Sequence, residues 1–185
     1  MKSNIIVVDN FYIDVDNVRN FALNQQFNVS GNYPGNRTKS FITDSAKSVI
    51  QRIMEPHAGL VTNWHDLGDK TNYTGAYQLC LASDKTWIHA DIFNTWSAVC
   101  YLTPDAPLNS GTCFYKHKQT NQLYYINSFH DGTNYDDWEQ SDYVANVYNR
   151  IVFFRGALFH AAVNYFGDSL YNGRLFQTFF FDTQY

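Results

Sequence analysis

Near residue 75 the hydrophobic pattern of this chain changes period, and no other feature constrains the fold as strongly. Before that point apolar residues recur at helical spacing. Asp14 or Asp16 can cap a short helix that puts Val15, Val18, Phe21 and Ala22 on one face. The stretch DSAKSVIQRIME carries Ala46, Val49, Ile50, Ile53 and Met54 at the same spacing, and Pro56 is expected to end it. Ile5 to Val8 reads as a strand ahead of both helices, and Gly31, Pro34 and Gly35 mark a loop between them. After residue 75 the period falls to two. Tyr77, Leu79 and Leu81 alternate with Gln78 and Cys80, and further strands are expected over 86–89, 97–102, 112–116, 123–126, 151–154 and 175–181. The polar segment 127–149 holds Asp131, Asp136, Asp137, Glu139 and Asp142 beside Trp138. It reads as a long acidic loop that would favour a cationic substrate, or as a solvated insertion. The pattern predicts one α+β domain over residues 1–185, with helical support over about 1–74 and an antiparallel sandwich or jelly roll over about 75–185.

Charge and length narrow the functional classes. The 185 residues carry 17 acidic against 13 basic side chains, a formal net charge of −4, with no Lys/Arg run. That balance argues against a nucleic-acid or anionic-membrane partner. No segment approaches the roughly 20 apolar residues that cross a bilayer. Asp9 interrupts the first apolar run before it can act as a signal-peptide core, so a cytoplasmic location is expected. Cys80, Cys100 and Cys113 make an odd count without a short-spaced pair, and each reads as a small buried hydrophobe.

The chemistry-bearing residues are few. In WIHADIFN, His89 and Asp91 stand two apart at an expected strand end, where side chains at i and i+2 share a face and can reach one metal. The same spacing also arises from an unrelated His and Asp at a strand end. His160 follows the apolar run RIVFF, either as a third ligand or as a satisfied core histidine. Two imidazoles and one carboxylate compose the facial triad of non-haem iron(II) enzymes. Arg174 opens a strongly apolar C-terminal strand, so its guanidinium either snorkels to solvent or meets a carboxylate in the cavity beside His160. Of the other histidines, His57 and His65 read as surface residues, and His130 has the wrong spacing to repeat H-x-D. Tyr33-Pro34-Gly35 with Arg37 reads as an ordinary turn or as a pocket border.

The ordered set of H-x-D (His89, Asp91), YLT (Tyr101–Thr103), S-G-T-x-F (Ser110–Phe114), R-I-V-F-F…H (Arg150–His160) and R-L-x-x-T-F-F-F (Arg174–Phe181) resembles the 2-oxoglutarate- and iron(II)-dependent oxygenases, prolyl-4-hydroxylase-like branch. The resemblance covers about residues 75–185. It implies a double-stranded β-helix, with iron(II) held by His89, Asp91 and His160. It further implies that Arg174 pairs with the distal carboxylate of 2-oxoglutarate, Tyr101 donates its hydroxyl to the same group, and Thr178 is an extra donor. The activity implied is oxygen-dependent hydroxylation of a peptidyl residue or a small molecule, with succinate and carbon dioxide released and ascorbate as reductant. Asp91 stands where related halogenases have a small residue, which favours hydroxylation. Iron(II) with Asp91, 2-oxoglutarate and Arg174 then sums to no net charge, as a buried site requires. Ser110-Gly111-Thr112 departs from the paired glycines common among relatives. A catalytically silent jelly-roll binding module, or a cupin-like metalloenzyme without 2-oxoglutarate, are the competing readings.

Overall fold

The computed structural model describes residues 3–64, 73–127 and 130–185, so the reading of His65 lies outside it. Strand β1 (Ile5–Val8) leads into helix α1 (Val15–Leu23), whose cap Asp14 accepts the Asn17 N–H at 3.1 Å. Strand β2 (Asn36–Ser40) precedes helix α2 (Asp44–Ala58) and the short β3 (Leu60–Thr62). The remaining strands are β4 (Ala76–Cys80), β5 (Trp96–Tyr101), β6 (Thr112–His117), β7 (Trp138–Val144), β8 (Ile151–Arg155), β9 (His160–Ala162) and β10 (Arg174–Gln184).

Two antiparallel sheets face each other in a jelly-roll-like sandwich. The larger runs β1-β8-β5-β10-β4-β2, with β3 paired to the far end of β10, and the smaller runs β7-β6-β9. The alternation in β10 divides its residues between two tasks. Leu175, Phe179 and Phe181 point outward and join Leu79, Trp96, Ala98 and Phe153 against Ala22, Ala46, Ile50 and Met54 of the helices. This is the core expected from the helical spacing. Arg174, Phe176, Thr178 and Phe180 point inward to a cavity between the sheets. The three cysteines are buried and free, in β4, β5 and β6.

Several expectations need correction. Pro56 does not end α2, which continues to Ala58. A proline this late removes only one hydrogen bond, and the helix stops at Gly59 (φ 87), whose N–H still reaches the Glu55 carbonyl at 3.2 Å. The stretches 86–89 and 123–126 form single bridges rather than strands, His89 to His160 and Tyr124 to Leu158. The segment 127–149 contains β7, whose five middle residues are exposed while Trp138 and Val144 are buried. Its acidic groups are engaged locally: Glu139 meets Lys116 at 2.7 Å, and Asp131 accepts the Thr133 N–H. None of the five lines the inter-sheet cavity. Strand β2 was not expected, because two of its polar residues, Arg37 and Thr38, are buried.

Candidate metal centre and cavity

A pair of backbone hydrogen bonds builds the site. His89 N–H reaches the His160 carbonyl at 3.0 Å, and His160 N–H returns to His89 at 2.8 Å. The bridge ties the loop carrying H-x-D to the start of β9. Asp91 is fixed by its own N–H to the Gly156 carbonyl (2.7 Å) and by the Ser97 hydroxyl donating to Oδ2 (2.8 Å). Each imidazole has Nδ1 against a carbonyl two residues earlier, Trp87 for His89 (3.0 Å) and Leu158 for His160 (2.8 Å). A carbonyl only accepts, so both Nδ1 atoms carry the proton and each neutral ring presents a bare Nε2.

Those two Nε2 atoms lie 3.8 Å and 3.4 Å from the Asp91 carboxylate oxygens. All three residues offer ligand atoms within 4.8 Å of one another. Two imidazole nitrogens and one carboxylate on one side of an ion, with backbone carbonyls fixing the ring tautomers, suit iron(II). Burial works against the Asp91 carboxylate, but His160, His89 and Ser97 outweigh it and hold the group below the ordinary carboxylate range. Burial and then the neighbouring His160 lower the His89 imidazole from its usual value.

These directions fix a pH dependence. For both groups the unfolded chain binds the proton more readily than the folded one, so the stabilising contribution is present above the ordinary values and is lost on acidification. Between the lowered His89 value and about 6.5, falling pH should lower the melting temperature of the metal-free protein, and below about 3.9 Asp91 adds to the loss. Differential scanning calorimetry from pH 7.5 to 5 checks this. A flat melting temperature in wild type, or an unchanged slope in His89→Gln, would contradict it.

The triad opens into a cavity of about 710 Å³. Arg174 lines it at 1% exposure, its Nε donating to the Ser110 carbonyl at 3.0 Å and its Cζ 4.4 Å from the Phe176 ring centroid. No carboxylate among the described residues forms an ion pair with it. Ser110 can approach because its neighbour is Gly111, where a Cβ would stand 1.9 Å from the Val144 carbonyl.

Two expected donors are placed differently. Tyr101 does not line the cavity, since Thr112 on β6 lies over it and its Oγ1 is 2.7 Å from the tyrosine hydroxyl. Tyr101 instead supports Arg174, 5.4 Å from ring centroid to Cζ. Thr178 does reach the cavity wall, but its hydroxyl lies within donating distance of the carbonyls of Tyr73 (3.1 Å) and Ala76 (3.3 Å), which compete for its one proton. Trp87 lines the cavity, whereas Trp96 is fully buried in the core. His57 is exposed, and His117 and His130 stack on each other beside Trp138, ring centroids 4.0 Å apart.

Arg37 is the residue that sequence reasoning undervalued. It lines the same cavity at 6% exposure, together with Tyr33 and Pro34 of its turn. The turn passes so close to β4 that a Cβ on Gly35 (φ +70) would meet the Leu79 carbonyl at 2.0 Å. The signal was a basic residue two positions after Tyr-Pro-Gly, ahead of the next helix.

The fold is similar to that of solved 2-oxoglutarate-binding proteins and prolyl hydroxylases. HygX from Streptomyces hygroscopicus, solved with nickel and 2-oxoglutarate bound, superposes over 100% of this chain and 84% of its own, with a TM-score of 0.56 at 11% identity. HygX with hygromycin B also bound gives a TM-score of 0.55 at 10% identity over the same shares. A prolyl hydroxylase from Trichoplax adhaerens, in complex with a hypoxia inducible factor peptide fragment, matches 96% of this chain and 83% of its own, with a TM-score of 0.51 at 13% identity. A search of curated proteins by sequence returned no match. Residues 1–132 match the family of unknown function DUF6445, and the chain belongs to that family. Among the described residues no helix is long and apolar enough to cross a membrane.

Proposed function

We propose that this chain is a single-domain iron(II)- and 2-oxoglutarate-dependent dioxygenase, built on a double-stranded β-helix, that hydroxylates a small molecule or a peptidyl residue. The convergence of His89, Asp91 and His160 on one point, with Arg174 across the same cavity, carries the reading. HygX, solved with nickel and 2-oxoglutarate, supports the choice of metal and co-substrate. When bound, the iron, 2-oxoglutarate and dioxygen supply the oxidation, releasing succinate and carbon dioxide.

The protein's part is to bind, orient and exclude water. His89 and His160 offer neutral Nε2 lone pairs because Trp87 and Leu158 hold their Nδ1 protons. Asp91 supplies the compensating negative charge, and Ser97 sets its orientation. Arg174 presents guanidinium N–H groups to a distal carboxylate from a wall made of Phe176, Tyr165 and Tyr101. The aromatic wall keeps water from competing for that pair.

Titration of the anaerobic protein with iron(II) and then 2-oxoglutarate, followed by succinate release in the presence of ascorbate, tests the reading. Failure to bind either ligand would remove it. Arg174→Leu should weaken 2-oxoglutarate binding on the order of 30-fold or more, the scale of losing one partner of a buried charge pair. Its metal affinity should stay near wild type, and equal 2-oxoglutarate affinity in mutant and parent would refute the assignment of Arg174.

A further inference from the structure

Among the described residues the charged side chains on the cavity wall are Asp91, Arg37 and Arg174, two cations against one anion. An iron(II) ion and a 2-oxoglutarate dianion cancel each other, so one positive charge remains. Arg37 is the excess. Its Nε donates to Gln78 Oε1 at 2.9 Å and Nη2 donates to the same oxygen. Gln78 is held in turn by its Nε2 on the Pro34 carbonyl (2.6 Å). The guanidinium lies against two rings, 3.7 Å from the Tyr33 centroid and 4.7 Å from that of Tyr73. Among the described residues it has no ion-pair partner.

Burial lowers Arg37 to about 10, so it remains charged at neutral pH, and its positive charge also helps to lower His89. Asp91 offsets part of the cost of burying Arg37, but the direct hydrogen-bond and ring partners of the guanidinium are neutral, and an anion in contact with it would offset more. Arg37 and Arg174 enter the cavity from different strands, β2 and β10, with β4 between them.

We propose that Arg37, held by Gln78 against the edge-to-face pair of Tyr33 and Tyr73, is a subsite for the carboxylate of a small organic acid, which makes the substrate of this protein an anion. The planar fork suits a carboxylate, and a cavity of about 710 Å³ suits a small acid. The assignment of that acid as the molecule oxidised rests on the oxygenase reading, whereas the subsite does not.

The probe is N-acetylglycine, with N-acetylglycinamide as its uncharged counterpart, titrated by ligand-observed NMR into protein with and without saturating nickel and 2-oxoglutarate. Wild type should bind the acid at least tenfold more tightly than the amide. Arg37→Gln should erase that preference while holding 2-oxoglutarate affinity within threefold, which also reports that the variant is folded. Arg37→Lys keeps the charge without the fork, should lose most of the preference, and carries the test alone if Arg37→Gln does not fold. Equal binding of acid and amide by wild type, or a preference unchanged in the variants, overturns the subsite. Loss of 2-oxoglutarate binding in folded Arg37→Lys would reassign Arg37 to the co-substrate and overturn it too. Tighter binding of an end-blocked peptide with an internal aspartate than of N-acetylglycine overturns the small-acid class. An Arg37-dependent acid preference in protein that takes up neither nickel nor 2-oxoglutarate sustains the subsite and removes the oxygenase reading instead.

Discussion

Asp91→Ala should abolish metal binding and reduce 2-oxoglutarate turnover at least a hundredfold, and should also lower the melting temperature of the metal-free protein at pH 7.5, because the contribution of the ionised carboxylate is lost. The carboxylate is the one anion among the three candidate ligands, so without it a dication would meet only two neutral imidazoles. Disturbing groups that merely orient a ligand typically costs 10- to 100-fold in affinity or activity, and removing a ligand exceeds that. The chain should still fold, because Asp91 is also anchored by its backbone N–H on the Gly156 carbonyl, which alanine retains. The Ser97 hydroxyl, released from Oδ2, can turn toward the cavity. Nickel calorimetry beside a melting curve separates the two effects. Metal affinity within tenfold of wild type would show that the ion is held elsewhere.

The candidate site was largely legible because its residues stand apart from the apolar strands around them. An H-x-D, a histidine after an apolar run and an arginine opening the last strand stand out against Phe, Tyr and Val. Strand spacing accounts for only half of the H-x-D placement. His89 and Asp91 do reach one point, but residues 86–89 form no strand, and the bridge to His160 does the positioning. Period-two reasoning found the strands whose outer face is apolar, such as β5 and β10. It missed β2, which buries Arg37 and Thr38 because Gln78 satisfies the first, while the Tyr77 N–H donates to the second at 3.0 Å. It missed β7 for the opposite reason. An edge strand with solvent on its middle residues carries charges that read as loop. The hydroxyl of Tyr101 was misplaced because no local pattern reveals that Thr112, from another strand, lies over it.

Phe179→Ala should cost about 3–5 kcal/mol of stability and leave the metal and 2-oxoglutarate affinities of the folded protein unchanged. Phe179 is fully buried on the outward face of β10, opposite Ala98 on β5. Its ring stacks near Trp64 (6.4 Å between centroids) and meets Phe11 edge-on (6.2 Å). Alanine would leave a cavity among elements that come from both ends of the chain, β1's following loop, the segment after β3, and β10 itself. Those elements cannot all close on the space, so both transfer and cavity terms are lost. A domain has only about 5–15 kcal/mol in total, so the melting temperature should fall by roughly 10 °C. The neighbouring side chains at 178 and 180 point the other way, into the cavity. Changes in ligand affinity should therefore follow the even-numbered positions of β10, and changes in stability the odd-numbered ones. Urea unfolding beside 2-oxoglutarate calorimetry on Phe179→Ala decides this. A tenfold loss of co-substrate affinity in the folded variant would show that the helix-facing core and the cavity are not independent.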